Sequence, residues 1–270
     1  MAIITLLTDF GVQDEYVGVL KGVILGTDPM ARIVDVCHGI DAQDVEAAAH
    51  TLKAAYAYFP KGTVHAAIVD PGVGTDRGII AAQADGHRFI APDNGLLTPV
   101  LSGHASATIH RVMNEKLFRH PVSRTFHGRD IIAPVAAHLS AGLALEDVGP
   151  AMALGEIHDR GIANAKRIGP DRIQGRIVNV DRFGNLMTNI HARDLTDSAG
   201  GQLSIQVGDA HISGLSETYA QGSPGKPIAL VGSRDTIEIA VKEGSAARVL
   251  SLTRGAIVRV RLGGTKPEVD

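Results

Sequence analysis

Thr63-Val64-His65-Ala66-Ala67-Ile68-Val69-Asp70-Pro71-Gly72-Val73-Gly74-Thr75-Asp76-Arg77 is the stretch on which the fold turns. Its first seven residues are short and largely apolar, the pattern of a strand buried on both faces. The run stops at a carboxylate, turns through Pro71 and two glycines, and reaches a guanidinium at Arg77. One reading is a strand, a tight turn and a further strand. The other is a carboxylate exposed at the carboxyl end of a buried strand and backed by an arginine.

Upstream, Ala2 to Leu7 reads as another buried strand, followed by the loop Asp9-Phe10-Gly11. Asp14 is expected to cap a helix from Glu15 to about Gly26, with Val17, Leu20 and Ile24 as its apolar stripe, ended by Asp28-Pro29. Ala31 to Val36 gives a second strand. A helix opened by Asp44 runs to about Phe59 and is closed by Pro60-Lys61-Gly62. Strand, helix, strand, helix, strand implies right-handed crossovers and a parallel sheet covered on both faces. Such sheets bind ligands outside the carboxyl ends of their strands. Asp9 and Asp70 both fall on that edge, which favours the functional reading.

Downstream, Gly78 to Ala84 and His87 to Ala91 form a strand pair about Asp85-Gly86. Asp93-Asn94-Gly95 starts a short helix to Leu101, and Ala107 to Val112 is a strand. Residues 114–125 are irregular, and Phe126-His127-Gly128-Arg129-Asp130 leads into a helix from Ile131 to Leu143. Residues 150–170 lack periodicity and read as a linker. Beyond it, Arg172 to Val180, Leu203 to Val207, Ile228 to Val231, Thr236 to Val241 and Ile257 to Leu262 are short strands with little helix between them. The expected architecture is an α/β N-terminal domain with a mainly parallel sheet over 1–160. An all-β, barrel-like C-terminal domain follows over 170–264, and Gly263 to Asp270 form a polar tail.

Composition narrows the function. The chain has 270 residues, enough for one large or two ordinary domains. A net charge of −3 offers no basic surface for nucleic acid or for a membrane. No apolar run approaches the ~20 residues of a membrane span. Met1 to Leu7 lacks the basic start of a secretory leader, so a cytoplasmic location is expected. The single cysteine, Cys37, excludes a disulfide framework and reads as a half-buried structural thiol.

Several residues carry candidate chemistry. Asp9 offers two acceptors suited to a vicinal diol, or is a turn residue bonding its own backbone. Gly72-Val73-Gly74 lacks the following helix and Lys-Ser/Thr of a phosphate loop, and its glycines are expected to let a small ligand approach the backbone. Arg77 is either a surface ion pair or a group that keeps Asp70 ionised. His127 precedes a helix and has both structural and catalytic readings. A divalent-metal site drawn from Asp9, Asp14, Asp70, Asp130 and His127 has no ligand spacing to support it, so no metal is expected. Asp181-Arg182-Phe183-Gly184-Asn185 and Ser233-Arg234-Asp235 are polar turns in the second domain.

Eight segments in order resemble one family: Leu6 to Gly22, Val34 to Ile40, Asp44 to Ala49, Val69 to Arg77, Ala91 to Leu97, Thr125 to Pro134, Asn179 to Ile190 and Val231 to Val241. They look like the adenosine-forming S-adenosyl-L-methionine hydrolases, also called SAM hydroxide adenosyltransferases, relatives of fluorinase and chlorinase. The resemblance implies attack of water or hydroxide on ribose C5′ of S-adenosylmethionine, releasing adenosine and L-methionine with no cofactor. It implies a homotrimer with active sites between the N-domain of one subunit and the C-domain of the next. By match, Asp70, Arg77 and His127 would be the hydrolytic set and Asp9 the ribose ligand. Asp14, Asp181, Ser233 and Arg234 would lie near the methionine moiety. Asn185, Tyr219 and Val241 would form the adenine pocket, with Glu238 beside it. The halogenases carry tyrosine in place of Asp70 and Tyr-Ser in place of His127-Gly128, which argues against halide as the nucleophile. A non-catalytic binder of adenosine or S-adenosylmethionine is the alternative from another class; it would need the pocket but not the trio.

Overall fold

The structure, a computed structural model, describes residues 3–159, 164–195 and 203–263. The chain divides into two compact units, Met1–Ile162 and Ala163–Asp270.

The N-terminal unit is built on β1 (Ile3–Thr8), β2 (Arg32–Cys37), β3 (Val64–Ile68), β4 (Ile79–Ala84), β5 (His87–Pro92), β6 (Thr108–Arg111) and β7 (Ala151–Met152). Their order across the sheet is β2-β1-β3-β5-β4-β6-β7. The β2-β1-β3-β5 half is parallel, and β4, β6 and β7 add to it antiparallel. Helices α1 (Tyr16–Thr27), α2 (Val45–Ala55), α3 (Thr98–Leu101) and α4 (Ala133–Ser140) cover it. Two apolar clusters result. One joins Ile4, Leu6 and Ile68 to Leu20, Ile24 and Val135, and the other joins Leu7, Val69 and Phe89 to Leu52 and Leu97. Strand β3 has all five residues buried, because side chains on both its faces meet a helical layer.

Local capping departs from expectation at Asp14. The α1 N-cap is Glu15, with no side-chain cap, and Asp14 is exposed in the preceding loop. Asp44 does cap α2, accepting the Ala47 N–H at 2.9 Å. Helix α2 stops at Ala55 and tightens into a 3-10 turn over Tyr56–Tyr58. The helix expected from Ile131 begins earlier, as a π turn over Gly128–Ile132, before α4 continues to Ser140. The thiol of Cys37 is half-buried and accepts the Gly39 N–H at 3.3 Å.

The C-terminal unit contains β8 (Lys166–Gly169), β9 (Arg172–Val180), β10 (Leu186–His191), β11 (Ser204–Val207), β12 (Ala210–Ser213), β13 (Pro227–Val231), β14 (Thr236–Val241) and β15 (Ile257–Arg261), with one short helix, α5 (Ala246–Val249). All pair antiparallel, in the order β12-β11-β15-β9-β10-β14-β13, with β8 on β9. The end strands β12 and β13 approach one another, so the sheet is nearly closed around Ile177, Ile190, Ile239 and Val258.

The segment read as a linker in fact holds β7, a 3-10 turn over Leu154–Glu156 and β8. These pieces are too short to show a period. Strands β10 and β12 also escaped the pattern. Buried Thr188 and Asn189 interrupt the apolar alternation of β10, and β12 is only four residues long. Most of the polar tail, 264–270, lies outside the described residues, as does 160–163 of the linker.

Candidate active site

Asp70 follows β3 at its carboxyl end and is held by groups on both sides. Arg77 closes on it as a bidentate pair: Nε donates to Oδ1 at 2.9 Å, and Nη2 donates to Oδ2 at short range. The side chains are 11% and 7% exposed for Arg77 and Asp70, so water screens this pair far less than a surface one. The same Nη2 donates to His127 Nδ1 at 2.8 Å. A guanidinium has no lone pair to offer, so Nδ1 is the acceptor and a neutral His127 carries its proton on Nε2. Burial, reinforced by the Arg77 charge, pushes the His127 pKa below its ordinary value. The trio is therefore a carboxylate, a guanidinium and an imidazole held neutral.

The loop between Asp70 and Arg77 is braced by its own chain. Thr75 Oγ1 donates to the Gly72 carbonyl at 2.6 Å, and the Val73 N–H donates to the Asp70 carbonyl at 3.3 Å. The glycines do not open onto ligand space. Gly74 has φ +78°, and a Cβ there would stand 2.4 Å from the Arg124 carbonyl oxygen; one on Gly72 would stand 3.2 Å from Arg77 Cγ. The turn is packed against the Arg124 backbone and against Arg77, whose guanidinium points back at Asp70. Asn94 secures the other side. It is 7% exposed, and its Nδ2 donates to the Val69 carbonyl at 2.8 Å.

Asp9 follows β1 on the same edge and accepts the Gln43 N–H at 2.8 Å through Oδ2, leaving Oδ1 for another donor. Thr8 behind it is fully buried, pairing its hydroxyl with His38 Nδ1 at 2.8 Å and accepting the Phe10 N–H at 3.2 Å. His38 Nε2 lies 3.1 Å from Asp35, which also takes Lys21 Nζ at 2.6 Å. This ties the two loops at the ends of β1 and β2 together. Asp14 is brought into no hydrogen bond or ion pair among the described residues.

Phe10, Tyr16 and Phe126 form a mutual cluster with ring centroids 5.4–5.9 Å apart, Phe126 edge-on to both of the others and Phe10 tilted against Tyr16. It links the loop of Asp9 to the turn that carries His127. Asp130, fully buried, anchors that turn, taking Arg129 Nε at 2.6 Å, Arg129 Nη2 at 2.8 Å and the Ser123 N–H at 2.8 Å. Burial alone raises the Asp130 pKa, but these hydrogen bonds and the arginine charges outweigh it and hold it low. Thr8, Asn94, Phe126 and Asp130 all lie within quoted sequence segments. The roles of Thr8, Asn94 and Phe126 were illegible because each acts through a partner distant in sequence, and that of Asp130 because its complete burial shows only in the fold.

In the C-terminal unit, Asp181, Asn185, Tyr219, Ser233, Arg234, Glu238 and Val241 line one groove of about 930 Å³. That volume suits a nucleoside-sized ligand. Asp181 is occupied by its own turn, accepting the Phe183 N–H at 2.9 Å, the Asn185 N–H at 2.8 Å and Asn185 Nδ2 at 2.9 Å. Glu238, only 3% exposed, accepts the Tyr219 hydroxyl at 2.6 Å, and that bond together with burial pushes the Tyr219 pKa up to about 12. Phe183, 77% exposed, also lines the groove, an aromatic face unclaimed by any core and missed in the sequence. Among the described residues no three His, Cys, Asp or Glu side chains gather closely enough to hold a metal ion.

Comparison with known proteins matches residues 4–149 to the SAM hydroxide adenosyltransferase N-terminal domain and residues 175–259 to its C-terminal domain. A protein of Thermus thermophilus named (R)-S-adenosyl-L-methionine hydrolase is 36% identical over 94% of this chain and 97% of its own. A Salinispora tropica protein of the same name is 34% identical over 96% and 98%. A fluorinase of Nocardia brasiliensis is 32% identical over 97% of each. The crystal structure of an uncharacterized conserved protein from Thermotoga maritima superposes with a TM-score of 0.88 at 36% identity, over 96% of this chain and 99% of that one.

Proposed function

Since the chain belongs to the SAM hydroxide adenosyltransferase family, we propose that it hydrolyses S-adenosyl-L-methionine to adenosine and L-methionine by in-line attack of water on ribose C5′. The observation that carries this reading is the hydrogen-bonded Asp70–Arg77–His127 trio at the carboxyl edge of the parallel strands. The two units bring complementary resources: acid-base groups in the first and a nucleoside-sized groove in the second.

A sulfonium is a good, positively charged leaving group, so departure of methionine needs little acid catalysis. The requirement is a water fixed in line with the C5′–S bond. The trio suits that task. Each Asp70 oxygen accepts one Arg77 N–H and keeps a second lone pair for a water hydrogen. His127, with Nδ1 engaged, offers its Nε2–H to a lone pair of the same water. In this mechanism Asp70 orients the water and takes its proton, His127 fixes its direction, and Arg77 holds both. The C5′–O bond forms as the C5′–S bond breaks; the sulfur keeps the electron pair and the proton leaves through Asp70.

Asp9 is proposed to take the ribose hydroxyls through its free Oδ1. Asn185, Tyr219, Glu238 and Val241 would hold adenine, Glu238 keeping Oε2 available for an amino donor. Asp14, Ser233 and Arg234 are assigned to the methionine end, where the cationic Arg234 suits a carboxylate. Asp181 is assigned to the same end, and through its bonds to Asn185 it also shapes the turn that carries an adenine contact. No cofactor enters the reaction. We extend the proposal to a homotrimer located in the cytoplasm; no described helix is long and apolar enough to cross a membrane.

The test is incubation of the purified protein with S-adenosylmethionine in ¹⁸O-labelled water, with and without chloride or fluoride. Labelled adenosine and free methionine are expected. A 5′-halo nucleoside would replace hydrolysis with halogenation, and binding without any nucleoside product would leave a non-catalytic binder.

A further inference from the structure

The N-terminal unit has a cavity of about 610 Å³ between α1, the 116–119 segment and the start of α4, sharing no residue with the Asp70–Arg77–His127 trio. Its floor is apolar, with Val23, Leu117, Phe118 and Pro134 among the lining side chains. Around that floor stand Lys116, Arg119, Arg129 and His138, and no carboxylate lines the wall. Asp130, fully buried and not itself a lining residue, is shared by two guanidiniums: Arg129 at 2.6 and 2.8 Å and Arg119 at 3.4 Å. Two arginines on one carboxylate leave one positive charge uncompensated. Lys116 adds another, with no ion pair among the described residues. The chain as a whole carries −3, so this excess is local.

Cations crowded at a low-dielectric concavity repel one another and focus a positive potential into it. An anion relieves that repulsion, and an apolar body on the anion covers the floor. The size lies within the ~300–1,000 Å³ usual for small-molecule sites. A polymeric anion is disfavoured, because the charge sits in one local depression of an acidic protein and forms no extended stripe. We propose that this cavity is a second small-molecule site that takes a compact organic anion, with its phosphate or carboxylate on Arg119 and Lys116 and its apolar part on Val23, Leu117 and Phe118.

Phenyl phosphate is the probe, titrated calorimetrically into the intact protein with adenosine and L-methionine, the reaction's products, present to fill the other site. Saturable binding is expected with a dissociation constant of roughly a millimolar or tighter. Lys116→Ala and Arg119→Ala should each weaken it about tenfold, the change expected for loss of one charge-assisted contact. Benzyl alcohol, which has the ring without the charge, should not bind. Both substituted side chains are substantially exposed, and an unchanged melting temperature would certify that the variants fold. No saturation by about 10 mM, a weakest-site limit on the same scale, would overturn the proposal. So would affinity indifferent to both substitutions, or abolished by adenosine and L-methionine. Because the readout is binding and not turnover, this site stands or falls separately from hydrolysis.

Discussion

At the scale of single residues, the tautomer of His127 decides how the trio divides its work. Arg77 consumes Nδ1, so only Nε2 faces outward, as a donor. Asp70→Asn keeps the shape and removes the charge; kcat is expected to fall by about 10²–10⁴-fold, the scale of general-base catalysis, with KM changed by no more than about threefold. Steady-state kinetics checks this, and an unaltered kcat would remove Asp70 from proton transfer. The pH profile follows from His127. Its pKa lies below the ordinary value, so the neutral, working form predominates above that lowered pKa and is lost as pH falls through it. Protonation would turn Nδ1 into a donor facing a donor. The acid limb of kcat/KM is therefore expected below about pH 6.5, the unperturbed imidazole value. In His127→Asn, whose Oδ1 still accepts from Arg77, the imidazole limb should vanish while the rate drops, because the outward donor is gone. A limb that survives unmoved would assign it to another group.

At the scale of elements, the site depends on how β3 is terminated and how the His127 turn is seated on it. Asn94, from the loop after β5, clamps the Val69 carbonyl. Asn94→Ala leaves that buried acceptor unpaired and is expected to cost about 1–3 kcal/mol in urea unfolding, with a loss of kcat as Asp70 loosens. The π turn brings Gly128 against β3, and a Cβ there would stand 3.3 Å from Ile68 Cγ2. Gly128→Ala should therefore push the turn outward. We expect a modest stability cost of about 1 kcal/mol but a disproportionate fall in kcat, since His127 precedes the displaced residue. Thermal unfolding and turnover measured on the same preparation distinguish the two effects. Equal and small changes in both would show the turn to be compliant.

At the scale of the whole molecule, the N-terminal core holds an unusual polar inclusion. His65 and His87 are fully buried, linked to each other at 3.2 Å, and His65 also meets the Thr5 hydroxyl at 2.8 Å. Phe89 stacks on His65, and Tyr56 packs edge-on against both rings and reaches His104. Burial, with the neighbouring His87, pushes the His65 pKa down to about 3, and burial with the nearby Lys61 charge lowers His87 as well. Both groups thus bind protons more readily when unfolded. The sign follows: stability is intact above the unfolded imidazole pKa of about 6.5 and drains away as pH falls from there toward the native value. Urea midpoints should drop steadily between about pH 7 and pH 5, and His65→Asn should flatten that slope even though it costs stability at neutrality. A slope unchanged by the substitution would place the acid sensitivity elsewhere.

The strand-helix alternation through β3, the carboxyl edge shared by Asp9 and Asp70, and the change to antiparallel strands after residue 170 were all legible in the chain. Each is written in contiguous residues, as apolar runs and the turn residues that end them. Capping was legible where the acid precedes the helix directly, as at Asp44, and misleading at Asp14, where loop geometry leaves Glu15 at the helix start. The docking of β5, and not β4, against β3 was invisible to pattern, because both strands are equally apolar and only long-range packing selects between them. The same holds for the site. The motif Val69 to Arg77 pointed to a carboxylate and a guanidinium. The approach of His127 across fifty residues, the consumption of its Nδ1 and the packing of Gly74 on Arg124 depend on how distant segments fold onto each other. Local chemistry is encoded residue by residue, whereas protonation and aim are properties of the surroundings, and surroundings exist only once the chain has folded.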